Sequence, residues 1–433
     1  MYKTTYDKTK CQTGIIHIGY GAFHRAHQAV YVDDYMEKTG DLQWGIVAVN
    51  LRYEGFRDID NYVVKTPTSS RLVRSHLDFV DWTKNPTIAA HMLSLPSVHL
   101  ITVTVTESGY AIGSPIFEYL ACGFRNRTTP VTVLCCDNIR QNGCVLETRF
   151  VAHLYRTHQF ALADWVKNNV TFPSCMVDRI TPRAQESTRR EVERLFPGFG
   201  QTVVQTEDYT QWVIENKFAS AFPDLTQVGV VVTEDVLPYE ETKIRILNGG
   251  HTALAYLGVL SGYRTFDQVM HNDAHLKHFK QLQHEDIVPS IDIELPFDVY
   301  DYVDTIEKRF SNSTNVDDLE RICMDGFTKF HTFIVPSLRV CLQQGRRPFH
   351  TYRSIAAWYI YARKFAKGCT KFAYKEPNWL LLEPLLHDNA VDAFVSNEML
   401  WGDVPNTYST FSKDLKSVLM SHTYEKEIDL LVD

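Results

Sequence analysis

The sequence predicts an α/β fold: an N-terminal doubly wound, Rossmann-like domain followed by a mainly α-helical C-terminal domain. Three observations predict it. Short β-branched runs alternate with amphipathic segments through the first half, and a Gly-x-Gly turn, Gly19-Tyr20-Gly21, closes the first of those runs. After about residue 237 the strand signals nearly vanish. A chain of 433 residues exceeds one simple core, so two domains are expected, 1–236 and 237–433.

In chain order, "IIHIG" (15–19), "GIVAVN" (45–50), "HLITVTVT" (99–106) and "VTVLCC" (131–136) read as strands buried on both faces, as in a parallel sheet. "VGVVVT" (228–233) reads as a further strand. The helix-like stretches between them are "FHRAHQAVYVDDYMEK", "SPIFEYLACGF" and "GCVLETRFVAHLYRTH". "DVLPYEE" (235–241) marks the boundary, where Pro238 suits a linker or a helix start. Amphipathic segments then cover 241–260, 264–284, 315–345, 350–366 and 378–399. The aromatic-rich stretch "FHTYRSIAAWYIYARKF" (349–365) reads as helix core.

Apolar residues make up 44% and charged residues 22%, which is ordinary for a globular protein and excludes wholesale disorder. A net charge of −8 argues against nucleic acid as a partner, because phosphate neutralisation needs a basic face. The nine cysteines are odd in number, scattered and without a CxxC pair, so reduced thiols in a cytoplasmic protein are expected. "MYKTTYDKTKCQTG" lacks the apolar core of a signal peptide. No run approaches the roughly 20 apolar residues of a membrane span, so no membrane partner is expected. The oligomeric state is not legible.

"IIHIGYGAFHRAHQA" begins as a dinucleotide fingerprint does: strand, Gly-x-Gly, helix. Gly19 would allow the tight turn, and Gly21 would let the backbone approach a pyrophosphate at the helix N-terminus. His24 stands where the third glycine of GxGxxG belongs. Phe23, His24 and Arg25 are candidate cofactor contacts; the alternative is an ordinary strand–turn–helix corner. His24 and His27 have no evident third partner for a metal, and no metal is expected. Beyond the second strand, Glu54 would reach ribose hydroxyls and favour NAD, whereas Arg52 would suit the 2′-phosphate of NADP. NAD is the preferred cofactor, and NADP stays open.

"KIRILNGGH" (243–251) sets an amine, an amide and an imidazole ahead of the apolar "TALAYLGVL". At about 100° per residue, Asn248 lies roughly 140° and His251 roughly 80° from Lys243, within one broad arc of a helix. Read alone, Lys243 suits a solvated first turn, and Asn248-Gly249-Gly250 suits a turn, since each glycine costs a helix about 1 kcal/mol.

The motifs "GYGAFHRAHQA", "VTVTESGY", "CDNIRQNG", "FPSCMVDRITP", "QWVIE" and "KIRILNGGH" occur in the order seen in the mannitol dehydrogenase family, which the chain resembles over nearly its whole length. The resemblance implies a metal-independent, nicotinamide-dependent oxidoreductase. Its substrate would be a linear polyol, ketose or sugar acid, with mannitol/fructose and mannonate/fructuronate chemistry the nearest choices. By matching motifs, Lys243 looks like the general acid/base, Asn248 and Asn138 like the pair holding the reacting oxygen, and His251 like a substrate-binding partner. Asp178, Glu240, Arg321 and Lys329 match substrate-binding positions, and Glu107 a proton relay. Ser174 replaces a common asparagine and Ser313 a common proline, which bears on substrate choice. A reading from another class is a catalytically silent sugar- or dinucleotide-binding regulator on the same scaffold. In isolation, Asp178 and Arg179 read equally as a structural ion pair, Asn138 as a strand-end turn residue, and Arg321 and Lys329 as solvated cations.

A lysine with the model-peptide pKa of about 10.4 would need that value lowered to accept a hydroxyl proton near neutrality. Two carboxamides aimed at one oxygen would stabilise the charge that develops there.

Overall fold

The computed structural model describes residues 2–52, 61–314, 316–371 and 373–421. It forms two compact units, Met1–Glu240 and Glu241–Asp433. The change of texture read at 236/237 falls just ahead of this division, which lies within the helix Leu237–Thr242.

The first unit is built on six parallel strands: β1 (Thr13–Ile18), β2 (Gly45–Asn50), β3 (His76–Asp81), β4 (Leu100–Val103), β5 (Val131–Cys135) and β6 (Val170–Thr171). Their spatial order is β3-β2-β1-β4-β5-β6, so the first strand is central and the chain reverses direction across the sheet between β1 and β4. Both faces are buried, which explains the continuous apolar runs. Ile16, Ile18, Val47, Val49, Ile101, Val103 and Val133 pack on one face, and Ile15, Ile46, Leu100 and Leu134 on the other. Helices α1 (Ala22–Ala26), α2 (Gln28–Thr39), α3 (Pro86–Ser94), α4 (Pro115–Phe124), α5 (Asn142–Arg156) and α6 (Phe160–Asn169) lie along the chain between or after the strands.

Several expectations change in detail. The stretch expected as one helix at 23–38 is two, because the backbone turns at His27 (φ −117°, ψ −88°). Hydrogen bonds hold that corner: His27 Nε2 lies 2.8 Å from the Gln211 carbonyl, and Arg179 donates to the Ala26 carbonyl. The strand expected at 99–106 ends at Val103, and Thr106 takes a left-handed φ of 66°. The strand expected at 228–233 shrinks to Val231–Thr233, because Gly229 (φ 91°) closes a 3₁₀ turn ahead of it. Between β2 and β3 the chain includes an antiparallel pair, Tyr62–Lys65 with Ser70–Val73, that no periodicity signalled. It belongs to a second sheet with Tyr2–Lys3 and Val204–Gln205. Cys175–Asp178, Gln211–Glu215 and Val231–Thr233 make a third.

The second unit is helical; among its described residues strand pairing is limited to the bridge between Thr265 and Asp318. One uninterrupted helical path runs through Leu237–Thr242, the π segment Lys243–Gly249 and the α-helix Gly250–Leu260. Ala253, Leu254, Ala255 and Tyr256 are fully buried along it. Phe349–Ala366 carries Trp358 and Tyr359 into the same core. The glycines read as a turn are helix interior. A Cβ on Gly250 would stand 2.5 Å from Gln283 Nε2 and 3.0 Å from the Phe279 ring, so the missing side chain permits close helix packing. Among the described residues no helix is long and apolar enough to cross a membrane. All nine cysteines are free thiols.

Candidate functional site

The C-terminal ends of β1, β2 and β4 border a cavity of about 240 Å³. Its lining includes Gly19, Tyr20, Gly21, Asn50, Arg52 and Thr104–Thr106. It lies where the strand order reverses, the place at which open α/β sheets take ligands. Gly19 has φ 101°, and a Cβ there would stand 1.9 Å from the Thr104 carbonyl oxygen, so only glycine fits. Gly21 differs: a Cβ there would meet nothing within 4 Å. No steric demand of the protein itself requires a glycine at that position. The backbone around both is pinned. Gly19 N donates to the Val49 carbonyl (2.9 Å), and Tyr20 N donates to Asn50 Oδ1 (2.7 Å).

The following residues point elsewhere. Phe23 stacks on His27, with ring centroids 5.0 Å apart. His24 is fully buried and stacked on His17 at 3.2 Å. Arg25 lies over the rings of Tyr20 and Tyr62 and donates to the Thr202 carbonyl. None of the three is among the residues that line the cavity, and each is engaged in packing beneath the turn. Arg52 does line it, while Glu54 lies outside the described residues.

Asn138 is exposed in the bend that follows β5. Asp137, buried beside it, clamps the loop after β4: its carboxylate accepts from Val105 N and Thr106 N (2.9 Å each) and from the Tyr110 hydroxyl. Asn142 continues the frame, donating to the carbonyls of Asp137 (3.0 Å) and Cys175 (2.8 Å) and accepting from Cys175 N (3.0 Å). Glu107 opens the 3₁₀ turn Glu107–Tyr110 held by this clamp; its side chain lies outside the described residues.

Asp178 ends the strand Cys175–Asp178 and is 3% exposed. The guanidinium of its neighbour Arg179 is directed at the carbonyls of Ala26 and Glu207. Glu240 is buried and accepts from Gln141 N at 2.8 Å, on the wall of a second cavity of about 370 Å³ that also includes Ser174 and Glu215.

In the second unit Lys243 opens the π segment and is 8% exposed, so the solvated alternative does not describe it. The π geometry corrects the angular estimate made for a regular α-helix. Hydrogen bonds from i to i+5 widen the turn, so residues five apart, such as Lys243 and Asn248, come near one face. His251 follows in the first turn of the α-helix, between the rings of Phe310 and Phe266. Burial pushes its imidazole down to about 3. Its Nε2 faces Asp317 Oδ2 at 3.7 Å. Asp317 also takes Arg321 through Nε (2.9 Å) and Nη2 (2.6 Å). Lys329 Nζ donates to the Ile322 carbonyl at 2.7 Å, and burial, then Arg321, holds its amine below the ordinary range. Arg321 and Lys329 are thus engaged within the chain instead of being merely solvated.

Asp137, Asn142, Asn50 and Asp317 are the framework residues that motif reading missed. Asp137 and Asn142 flank Asn138 within the same quoted motif, and their position in it is the signal available there. Among the described residues no group of three or more His, Cys, Asp or Glu side chains is placed to hold a metal ion.

A Rossmann-type parallel sheet with a pinned Gly-x-Gly turn, and a helical unit carrying a buried lysine on a π turn, define a two-domain class with a nucleotide-type cavity in its first domain. The chain belongs to the mannitol dehydrogenase family: residues 13–227 match the mannitol dehydrogenase Rossmann domain and 235–419 the mannitol dehydrogenase C-terminal domain. A mannitol 2-dehydrogenase of Phaeosphaeria nodorum is 30% identical over 460 residues, spanning 96% of this chain and 80% of that one. A D-mannonate oxidoreductase of Escherichia coli is 30% identical over 404 residues, with 83% and 82% covered. The structure of Pseudomonas fluorescens mannitol 2-dehydrogenase in ternary complex with NAD and D-mannitol superposes with a TM-score of 0.86 at 28% identity, covering 99% of this chain and 96% of that one.

Proposed function

We propose that the chain is an NAD-dependent oxidoreductase that interconverts a secondary alcohol of a linear polyol with the corresponding ketone, in the manner of mannitol and fructose. The observation that carries the reading is the buried Lys243 on a π turn with Asn248 five residues on, in a family whose solved relative holds NAD and D-mannitol. The cavity at β1, β2 and β4 suits the cofactor: Gly21 leaves space for a pyrophosphate, and Asn50 and Arg52 border the ribose side. When bound, the nicotinamide supplies the hydride acceptor or donor.

The protein's own residues then handle the proton and the charge. A neutral Lys243 takes the hydroxyl proton as the alcohol is oxidised, and returns it to the alkoxide in reduction. The amide of Asn248, on the same helical path, donates to that same oxygen, and losing such a donor costs about 3 kcal/mol of barrier. His251, neutral above about pH 3, is free of the charge that would repel a lysinium two turns away, and hydrogen-bonds a neighbouring hydroxyl. Asp178 and Glu240 serve the substrate's other hydroxyls.

Three observations favour a neutral polyol over a sugar acid. A sugar acid would need a cation for its carboxylate, and of Arg321, Lys329 and Arg339 the first is paired with Asp317, the second donates to the Ile322 carbonyl, and the third is paired with Asp403. NADH consumption with fructose and with fructuronate tests the choice. Turnover of fructose at least tenfold faster is expected. A preference for fructuronate would transfer the assignment to mannonate chemistry. Clean NADH binding with turnover of neither would return the chain to the silent-regulator reading.

A further inference from the structure

Beneath the glycine turn lie His17, His24 and His76, each no more than 1% exposed, and none of them lines the cavity. Burial holds all three imidazoles below their ordinary value, so all are neutral. Placing three polar rings where aliphatic side chains would pack is costly unless their hydrogen bonds are made.

His17 is the penultimate residue of β1, and its side chain reaches the turn itself. Nε2 lies 2.7 Å from the Gly19 carbonyl oxygen. A carbonyl only accepts, so Nε2 carries the hydrogen, and Nδ1 is left to accept from the Thr102 hydroxyl at 2.8 Å. The Thr104 hydroxyl donates to the same Gly19 oxygen at 2.9 Å, and Gly21 N donates to it at 2.8 Å. The ring of His17 lies flat against His24 of α1, 3.2 Å between centroids and 7° between planes. His24 Nε2 meets Nε2 of His76, the first residue of β3, at 3.0 Å. One of those two nitrogens bears a hydrogen and the other accepts it. A line of imidazoles therefore runs from β3 through α1 to β1 and ends on the backbone of the turn.

We propose that His17 is a positioning residue for the dinucleotide: its Nε2–H fixes the Gly19 carbonyl, and with it the Gly19–Gly21 backbone, in the orientation that receives a pyrophosphate, while the His24–His76 pair locks the His17 ring. The inference rests on the dinucleotide reading given above. His17 acts through the turn, so its effect falls on cofactor affinity and leaves the proton-transfer step unchanged.

The test uses the full chain and the variants His17→Leu, His17→Gln and Thr104→Val. Thermal melts monitor folding, fluorescence titration gives the Kd for NAD, and steady-state assays separate the KM for NADH, the KM for fructose and kcat. His17→Leu should raise the NAD Kd and the NADH KM about tenfold, with fructose KM and kcat within about twofold. His17→Gln, which keeps an N–H near the Nε2 position, should recover most of that loss. Thr104→Val removes one donor to the same oxygen at nearly constant volume and should cost about fivefold with an unchanged melt, so it carries the test if His17→Leu does not fold. A folded His17→Leu or Thr104→Val that binds NAD like the parent overturns the proposal. So does equal loss in His17→Leu and His17→Gln, or a fall in kcat in place of cofactor affinity. Failure of the unaltered protein to bind NAD or NADP is seen before any variant is made, and overturns the dinucleotide reading with the proposal.

Discussion

The Gly-x-Gly end of the first unit and the lysine helix of the second are built by opposite means. In the first, the backbone is the instrument: a left-handed Gly19, a carbonyl with three donors and a loop clamped by Asp137, all held by buried side chains. In the second, side chains are the instrument: Lys243, Asn248 and His251 project from one helix, and a local π widening determines their angular relation. The difference teaches where each should be fragile. A backbone site is broken by adding atoms, and a side-chain site by removing them.

Removing atoms from the helix should have the largest effect. Lys243→Ala eliminates the proposed proton acceptor, and kcat should fall by about 10³-fold, within the range general acid–base catalysis supplies. Asn248→Ala should cost about 10²-fold through the lost oxyanion donor. Neither should change the Kd for NAD by more than about twofold, which fluorescence titration checks. Unchanged turnover in Lys243→Ala removes the lysine from the mechanism. Proportional losses of NAD affinity would show that the two regions do not divide the work as described.

Adding atoms to the turn should discriminate between its two glycines. Gly19→Ala places a methyl 1.9 Å from the Thr104 carbonyl at φ 101°, so it should lower stability by more than about 2 kcal/mol and abolish NAD binding. Gly21→Ala meets no protein atom within 4 Å, so its stability should stay within about 1 kcal/mol while the NAD Kd rises at least tenfold. Melting curves paired with titrations read both. If Gly21→Ala binds NAD normally, the space beside Gly21 is not where the pyrophosphate sits.

These contrasts also explain what the sequence disclosed. Gly19 was legible because a glycine between an apolar run and a helix has few other reasons to be there. The parallel sheet was legible because strands buried on both faces leave unbroken β-branched runs. The packing of His24 was not legible: an imidazole opening a helix resembles a ligand contact, and its stacking against His17 and bond to His76, 52 positions away, have no local signature. Asp137 was overlooked because its partners at 105, 106 and 110 are distant in the chain. The Tyr62–Lys65 and Ser70–Val73 pair was missed because short strands in a small mixed sheet carry no sustained alternation. The π turn had no signature at all, since the extra residue per turn is set by packing and not by residue type. Candidate side chains could therefore be named from motifs, but their angular relation could not.

The smallest expected effect is in acid, and it sharpens the comparison further. His17 is pushed down to about 3 by burial, so between that pH and the ordinary value of 6.5 the unfolded chain binds a proton that the folded chain refuses. Stability is then fully present above about 6.5 and declines as pH falls towards 3, the direction linkage requires when the unfolded state holds more protons. His251 obeys the same sign, also at about 3. The surroundings differ. A proton entering the first unit meets two further stacked or bonded imidazoles and Arg25, with no carboxylate among the groups that shift His17, His24 or His76. A proton on His251 meets Arg321, Lys329 and Arg309, but also Asp317, whose carboxylate raises its affinity. Acid should therefore loosen the first unit first. Melting temperature should drop about 2–4 °C for each kcal/mol lost between pH 6.5 and 4.5. Hydrogen exchange resolved by peptide should show β1 and α1 losing protection at a higher pH than the helix Gly250–Leu260. The reverse order would mean that the imidazole line under the turn is less sensitive to charge than its burial implies.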